Sequence, residues 1–229
     1  MQLTWLGHSA AHLETAGKSI LIDPFWTGNP KFPQGFEERL GGVDFIVLTH
    51  GHEDHLGDSA RLAQKYGATV VTQFEICMHL GGQGVSAMEP MNIGGTVRRD
   101  GLSFTMVNAQ HSSAIIKDGV PMTMGDPAGF VIKSSERTVY HAGDTEIFSD
   151  MALIQRIHQP SVGLIPIGDR FTMGPETAAL ACNEFLELEV IVPIHWGTFD
   201  LLSGDPQAFK ALVTRGEVRL PAPGEPLSL

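Results

Sequence analysis

The segment Thr49-His50-Gly51-His52-Glu53-Asp54-His55-Leu56 brings three imidazoles and an aspartate into six residues. It follows the apolar run Phe45-Ile46-Val47-Leu48, which reads as a buried strand, and precedes Leu56 to Tyr66, whose apolar residues recur at helical spacing until Gly67. The cluster therefore sits at a strand-to-helix corner. In a tight turn His50 and His52 can face one point, while Asp54 and His55, opening the helix, face a neighbouring one. Two donor pairs a short distance apart suit two ions better than one. With imidazole and carboxylate donors and no thiolate, the set fits borderline divalent metals such as zinc. An exposed polar turn would explain one such histidine, but explains the whole H-x-H-x-D-H pattern poorly.

That pattern resembles the signature of the metallo-β-lactamase superfamily. The resemblance implies an α/β chain folded as an αββα sandwich, two mixed sheets with helices outside, holding one or two metals. It also implies ligand roles for residues distant in the chain, each following an apolar strand-like run. His111 comes after Leu102 to Val107, Asp144 after Thr138 to His141, and His195 after Val190 to Ile194. By this resemblance His50, His52 and His111 serve one ion, Asp54, His55 and His195 the other, and Asp144 bridges both. Zinc is the first expectation for the two divalent ions; manganese and iron are the alternatives that a nitrogen-and-oxygen ligand set admits. Asp rather than Cys at 144 separates the chain from secreted β-lactamases with a thiolate there. His52 separates it from the flavin-linked di-iron branch, which has Glu at that position.

Several further stretches are similar to small bacterial metal-dependent hydrolases related to L-ascorbate-6-phosphate lactonase. They are Gly7-His8-Ser9, Asp23-Pro24, Gly143-Asp144-Thr145, Phe171-Thr172-Met173-Gly174-Pro175 and His195-Trp196-Gly197-Thr198-Phe199. Relatives use the residue corresponding to Asp23 to support the metal loop; a turn aspartate before proline is the competing reading.

A chain of 229 residues, 42% hydrophobic, suffices for one sizeable core, so a single domain over residues 1–229 is expected. The net charge of −11 disfavours general affinity for nucleic acid, which needs Lys and Arg to displace phosphate counterions. Two ions with their carboxylates and a hydroxide would still leave a small local positive balance that admits an anionic small molecule. Cys77 and Cys182 lie far apart without a C-x-x-C pair and read as buried thiols of a reducing compartment. No secretory signal and no membrane-spanning run is visible, so a cytoplasmic location is the expectation, and a homo-oligomer is left open.

Alternating apolar patterns predict an opening meander over Gln2–Leu6, Ala11–Glu14 and Ser19–Asp23, and hairpins over 96–107 and 129–141. Strand and helix then alternate from Ser149 onward, and Asp205-Pro206 opens a last helix. Two irregular stretches, Pro24 to Gly42 and Ile115 to Ala128, are expected to form the lips of a cleft, with aromatics of the first either walling the substrate or packing on the domain. The tail after Leu220 carries no readable chemistry.

The expected reaction is hydrolysis by a metal-activated hydroxide acting on a small lactone or ester, with Asp54 orienting the hydroxide. His8, His141 and a metal-bound water are the candidates to protonate the leaving group, with a structural role weighed beside it for each histidine. Arg170 is weighed as an anchor for a substrate anion against a solvated loop residue. His12, His79 and His158 are expected to be surface or packing residues. Two other functions compete: a phosphodiesterase or ribonuclease, since tRNA 3′-processing ribonuclease shares the motif, and a metal-binding protein without catalysis.

Overall fold

A computed structural model describes residues 1–229. Residues 1–91 supply β1 (Gln2–Trp5), β2 (Ala11–Thr15), β3 (Lys18–Ile22), α1 (Phe36–Arg39), β4 (Phe45–Val47), α2 (Glu53–Leu56), α3 (Ser59–Tyr66), β5 (Thr69–Gln73), α4 (Phe74–Gly81) and β6 (Met88–Met91). The remainder supplies β7 (Thr96–Arg99), β8 (Leu102–Asn108), β9 (Ala114–Lys117), β10 (Val120–Thr123), β11 (Ala128–Lys133), β12 (Thr138–His141), α5 (Met151–His158), β13 (Val162–Pro166), α6 (Pro175–Glu184), β14 (Val190–Ile194), α7 (Pro206–Leu212), β15 (Glu217–Val218) and β16 (Pro226–Ser228).

Two seven-stranded mixed sheets result, ordered β16-β1-β2-β3-β4-β5-β6 and β15-β14-β13-β12-β11-β8-β7. They pack face to face because the central strands of each sheet alternate two apolar faces. Ile20, Ile22, Phe45 and Val47 of the first sheet meet Phe104, Phe130, Val139 and Leu164 of the second in the central core. Leu21, Ile46 and Leu48 point the other way, under α3 and α4, while Val131, Tyr140 and Ile165 of the second sheet lie under α5 and α6. The layers are therefore helix, sheet, sheet, helix, as the resemblance implied.

Within each sheet the strands that precede the candidate donors run parallel. β3, β4 and β5 are mutually parallel, as are β12, β13 and β14, and β8 and β1 share those directions through an intervening antiparallel neighbour. Their carboxyl ends consequently share one edge of the sandwich, the usual place for a site in sheets of this kind.

One expectation needs correction. Residues 114–123 form a hairpin of their own, β9 with β10, turned by Asp118-Gly119 with φ of 51° and 78° as a two-residue hairpin turn requires. Of the two readings open for the aromatics of the 24–42 stretch, packing on the domain holds for Trp26, Phe32 and Phe36, Trp26 stacking on Phe32 at 4.9 Å and joining the outer core with Phe36, while Phe25 lines a groove beside Asp54 and Phe199. The tail contributes structure: β16 pairs antiparallel with β1 and extends the first sheet. No helix is long and apolar enough to cross a membrane.

Candidate metal centre

The corner after β4 is held by Asp23, which follows β3 on the neighbouring strand end. Its carboxylate is fully buried and accepts three hydrogen bonds: from the Thr49 N–H (2.8 Å), the Thr49 hydroxyl (2.6 Å) and His55 Nδ1–H (2.8 Å). Thr49 Oγ1 in turn accepts from His50 Nδ1–H at 3.0 Å. Both rings are thereby fixed with Nε2 turned toward the other donors, the arrangement that carboxylate and hydroxyl partners impose on ligating histidines. Gly51 lies between the two histidines because a Cβ there would overlap the Met124 side chain; its N–H donates to Ser113 Oγ at 3.0 Å. At the Asp144 turn, Gly143 has φ of 65°, and a Cβ would come 2.5 Å from the Ala128 carbonyl.

All seven expected donors come together on the shared edge. Ligand atoms of His50, His52 and His111 lie within 4.8 Å of one another, and so do those of His50, His55 and Asp144. His50 Nε2 and His52 Nδ1 are 2.9 Å apart, with the other His52 nitrogen 3.3 Å from the Ser112 hydroxyl. Asp144 Oδ2 stands 2.9 Å from His195 Nε2, 3.4 Å from His55 Nε2 and 3.6 Å from His111 Nε2, between the two histidine groups. A further set joins Asp54, His55 and His195 with His8.

His8 takes a different place from that expected. Its ring is buried behind Asp54, with Nε2–H donating to Asp54 Oδ2 (3.0 Å) and Nδ1 accepting from the Thr198 hydroxyl (3.0 Å). It orients Asp54 and does not line the cleft, so its candidacy as leaving-group acid is withdrawn. His141 is corrected too. Its Nε2–H donates to the Ser9 carbonyl at 3.0 Å and its Nδ1 accepts from the Gly143 N–H at 3.2 Å, so both nitrogens are committed to backbone. It braces the turn that carries Asp144.

Electrostatics suit a cation. Burial, then the His55 charge, holds His50 well below the ordinary imidazole range, and burial lowers His52 and His111. Burial brings His8 down to about 4 against the pull of Asp54. These rings are neutral, the form a metal needs. Burial opposes ionisation of Asp144, but His195 and His55 hold it well below the carboxylate range; His8 and His55 do the same for Asp54. His55 is the exception. Burial would lower it, yet Asp144 and Asp23 on its two sides raise it well above the ordinary value. A proton there stands where a cation would, between imidazole and carboxylate. His55 Nε2 and Asp144 Oδ1 are buried without any hydrogen-bond partner, a costly condition that a bound cation relieves. The residues present thus fit a divalent metal.

The donors open into a cleft of about 370 Å³ whose floor is His52, Asp54, His111, Asp144 and His195 and whose far wall is Phe171, Phe199, Leu201 and Leu202. The sequence singles out the stretches with Phe171, Thr198 and Phe199 by resemblance without assigning them a role, and gives no signal for Leu201 and Leu202. Arg170 is exposed and does not line the cleft. A larger groove of about 810 Å³, near Glu14 to Ser19, lies at the other end of these strands and contains no donor.

A four-layer sandwich with this donor edge is the metallo-β-lactamase fold, and residues 18–196 match the model of the beta-lactamase superfamily domain. Within that superfamily the chain belongs to the family of UPF0173 metal-dependent hydrolases, being 51% identical over 214 residues to a member from Sinorhizobium medicae, with 92% of each chain covered. Among solved structures it resembles Igni18, a metallo hydrolase from Ignicoccus hospitalis (TM-score 0.87, 38% identity, 99% and 97% of the two chains). It shares its fold with isothiocyanate hydrolase from Delia radicum gut bacteria (TM-score 0.80, 23% identity, 100% and 99% covered).

Proposed function

We propose that the chain is a dinuclear hydrolase of small molecules, cleaving ester or lactone bonds, with zinc as the first candidate and manganese or iron as alternatives. His50, His52 and His111 would hold one ion, Asp54, His55 and His195 the other, and Asp144 both. The observation that carries this reading is Asp144: one buried carboxylate oxygen within 3.6 Å of ligand nitrogens from both groups, the other oxygen unpartnered.

Divalent ions held there supply Lewis acidity and a water that ionises near neutral pH. The chain's own residues do the rest. Asp54, steadied by His8 and Thr198, orients the attacking oxygen, Asp23 keeps the His50 and His55 rings aimed, and the Phe199 side of the cleft limits water. The water oxygen bonds to the carbonyl carbon and the acyl C–O bond breaks. The departing alkoxide takes up a proton, leaving carboxylate, alcohol and one released proton.

The test is turnover of a panel of esters, lactones and phosphodiesters by protein reloaded with each metal. An isothiocyanate belongs in the panel because a protein of the same fold hydrolyses one. Ester or lactone cleavage that vanishes on chelation and in Asp54→Ala is the expected result; cleavage surviving both changes would refute the reading.

A further inference from the structure

The cleft is divided by chemistry. Its floor is the polar donor set, while its far wall comes from two loops, Phe171 after β13 and Phe199, Leu201 and Leu202 after β14. Phe171 is 53% exposed and Leu201 51%, apolar surface standing free beside a charged centre. Several large apolar side chains gathered on one wall of a concave site beside polar groups are the usual lining of a ligand pocket. No Lys or Arg lines this cleft. The adjoining groove, beyond Phe199, holds no Lys or Arg either: it presents the exposed Glu53 carboxylate, with Asp58 tied to Arg61 and the Thr27 N–H. A ligand anion away from the reacting bond would thus meet hydrocarbon, where it is desolvated without a partner, or carboxylates, which repel it.

We propose that the substrate is a neutral molecule whose reacting bond adjoins an aromatic or branched aliphatic group seated against Phe171, Phe199 and Leu201. This rests on the hydrolase reading above and narrows its substrate class away from the anion that net metal charge alone would admit. The ions act on the reacting group; the remainder of the ligand is read by apolar contact.

The experiment uses two esters identical at the reacting bond, one with a phenyl group and one with the same ring carrying a carboxylate at its far end. The matching pair of non-hydrolysable phenyl ketones is titrated by calorimetry, so that binding is measured independently of turnover. Metal-loaded wild type should prefer the neutral member of each pair by about tenfold or more, the scale of discrimination an apolar pocket reaches. Phe171→Ala should weaken the neutral ligand through KM and Kd, with metal content unchanged. Leu201→Arg should erase or reverse the preference by giving the carboxylate a partner. Absence of preference in ketone binding, or a preference indifferent to both substitutions, overturns the proposal whatever the turnover. If neither ester is cleaved while the ketone preference holds, the ester reading fails and the apolar recognition stands.

Discussion

Asp23→Asn is the perturbation that most directly probes how the donor corner is held. The carboxylate takes three donors, two on Oδ2 and one on Oδ1. An amide has a single acceptor oxygen. If that oxygen keeps the Thr49 hydroxyl and His55, the NH2 group faces the Thr49 N–H, and a buried donor is orphaned at about 1–3 kcal/mol. If the amide flips, two donors are orphaned and the cost rises. The remaining bonds also lose their charged acceptor, so His55 and, through Thr49, His50 are aimed less firmly. Losing such a supporting partner weakens metal affinity by about 10–100-fold. The assay is competition with a chelator of known affinity, alongside urea unfolding of the metal-free protein. Asn also removes part of the negative field that holds the His55 proton, which eases proton competition at low pH. The affinity gap between wild type and variant should therefore widen as pH rises. Unchanged affinity across the pH series would refute the role given to Asp23.

Gly51→Ala should abolish metal retention, measured as metal per purified chain, because the new methyl group overlaps Met124 and displaces both flanking histidines. Phe130→Ala, in the centre of the inter-sheet core, should cost about 3–5 kcal/mol in urea unfolding. Glu37 pairs with Arg61 and Lys65, and the Arg61 hydrogen bonds lead in holding its carboxyl down at about 2 from an ordinary value of 4.5. A depressed folded-state value gives stability present above the unfolded value and lost as pH falls through the folded one. The advantage of wild type over Glu37→Gln, at most about 1 kcal/mol for so exposed a pair, should thus fade between pH 4.5 and about 2 in acid unfolding.

The donor corner could be read from the chain because its chemistry is contiguous: four candidate donor side chains within six residues, behind a strand. The sheets were readable because Ile20 to Ile22, Phe45 to Leu48 and Phe130 to Ile132 alternate between two cores. What escaped reading depends on tertiary neighbours. His8 and His141 both lie near strand ends, and only the fold reveals that one supports Asp54 while the other is consumed by Ser9 and Gly143. Phe171 and Leu201 lie in loops without periodicity, so nothing local distinguishes a cleft wall from a solvated turn. The 114–123 hairpin escaped because Asp118-Gly119, a sound turn pair, joins strands of only four residues, one of them carrying Pro121.

The proposed function requires distant segments to assemble a two-cation centre around Asp144. Metal analysis of protein purified without chelator and re-equilibrated with excess zinc tests it directly. Two ions per chain are expected in wild type, and loss of both, or retention of a single weakly held one, in Asp144→Ala. One ion or fewer in wild type, or a full pair in Asp144→Ala, would contradict it.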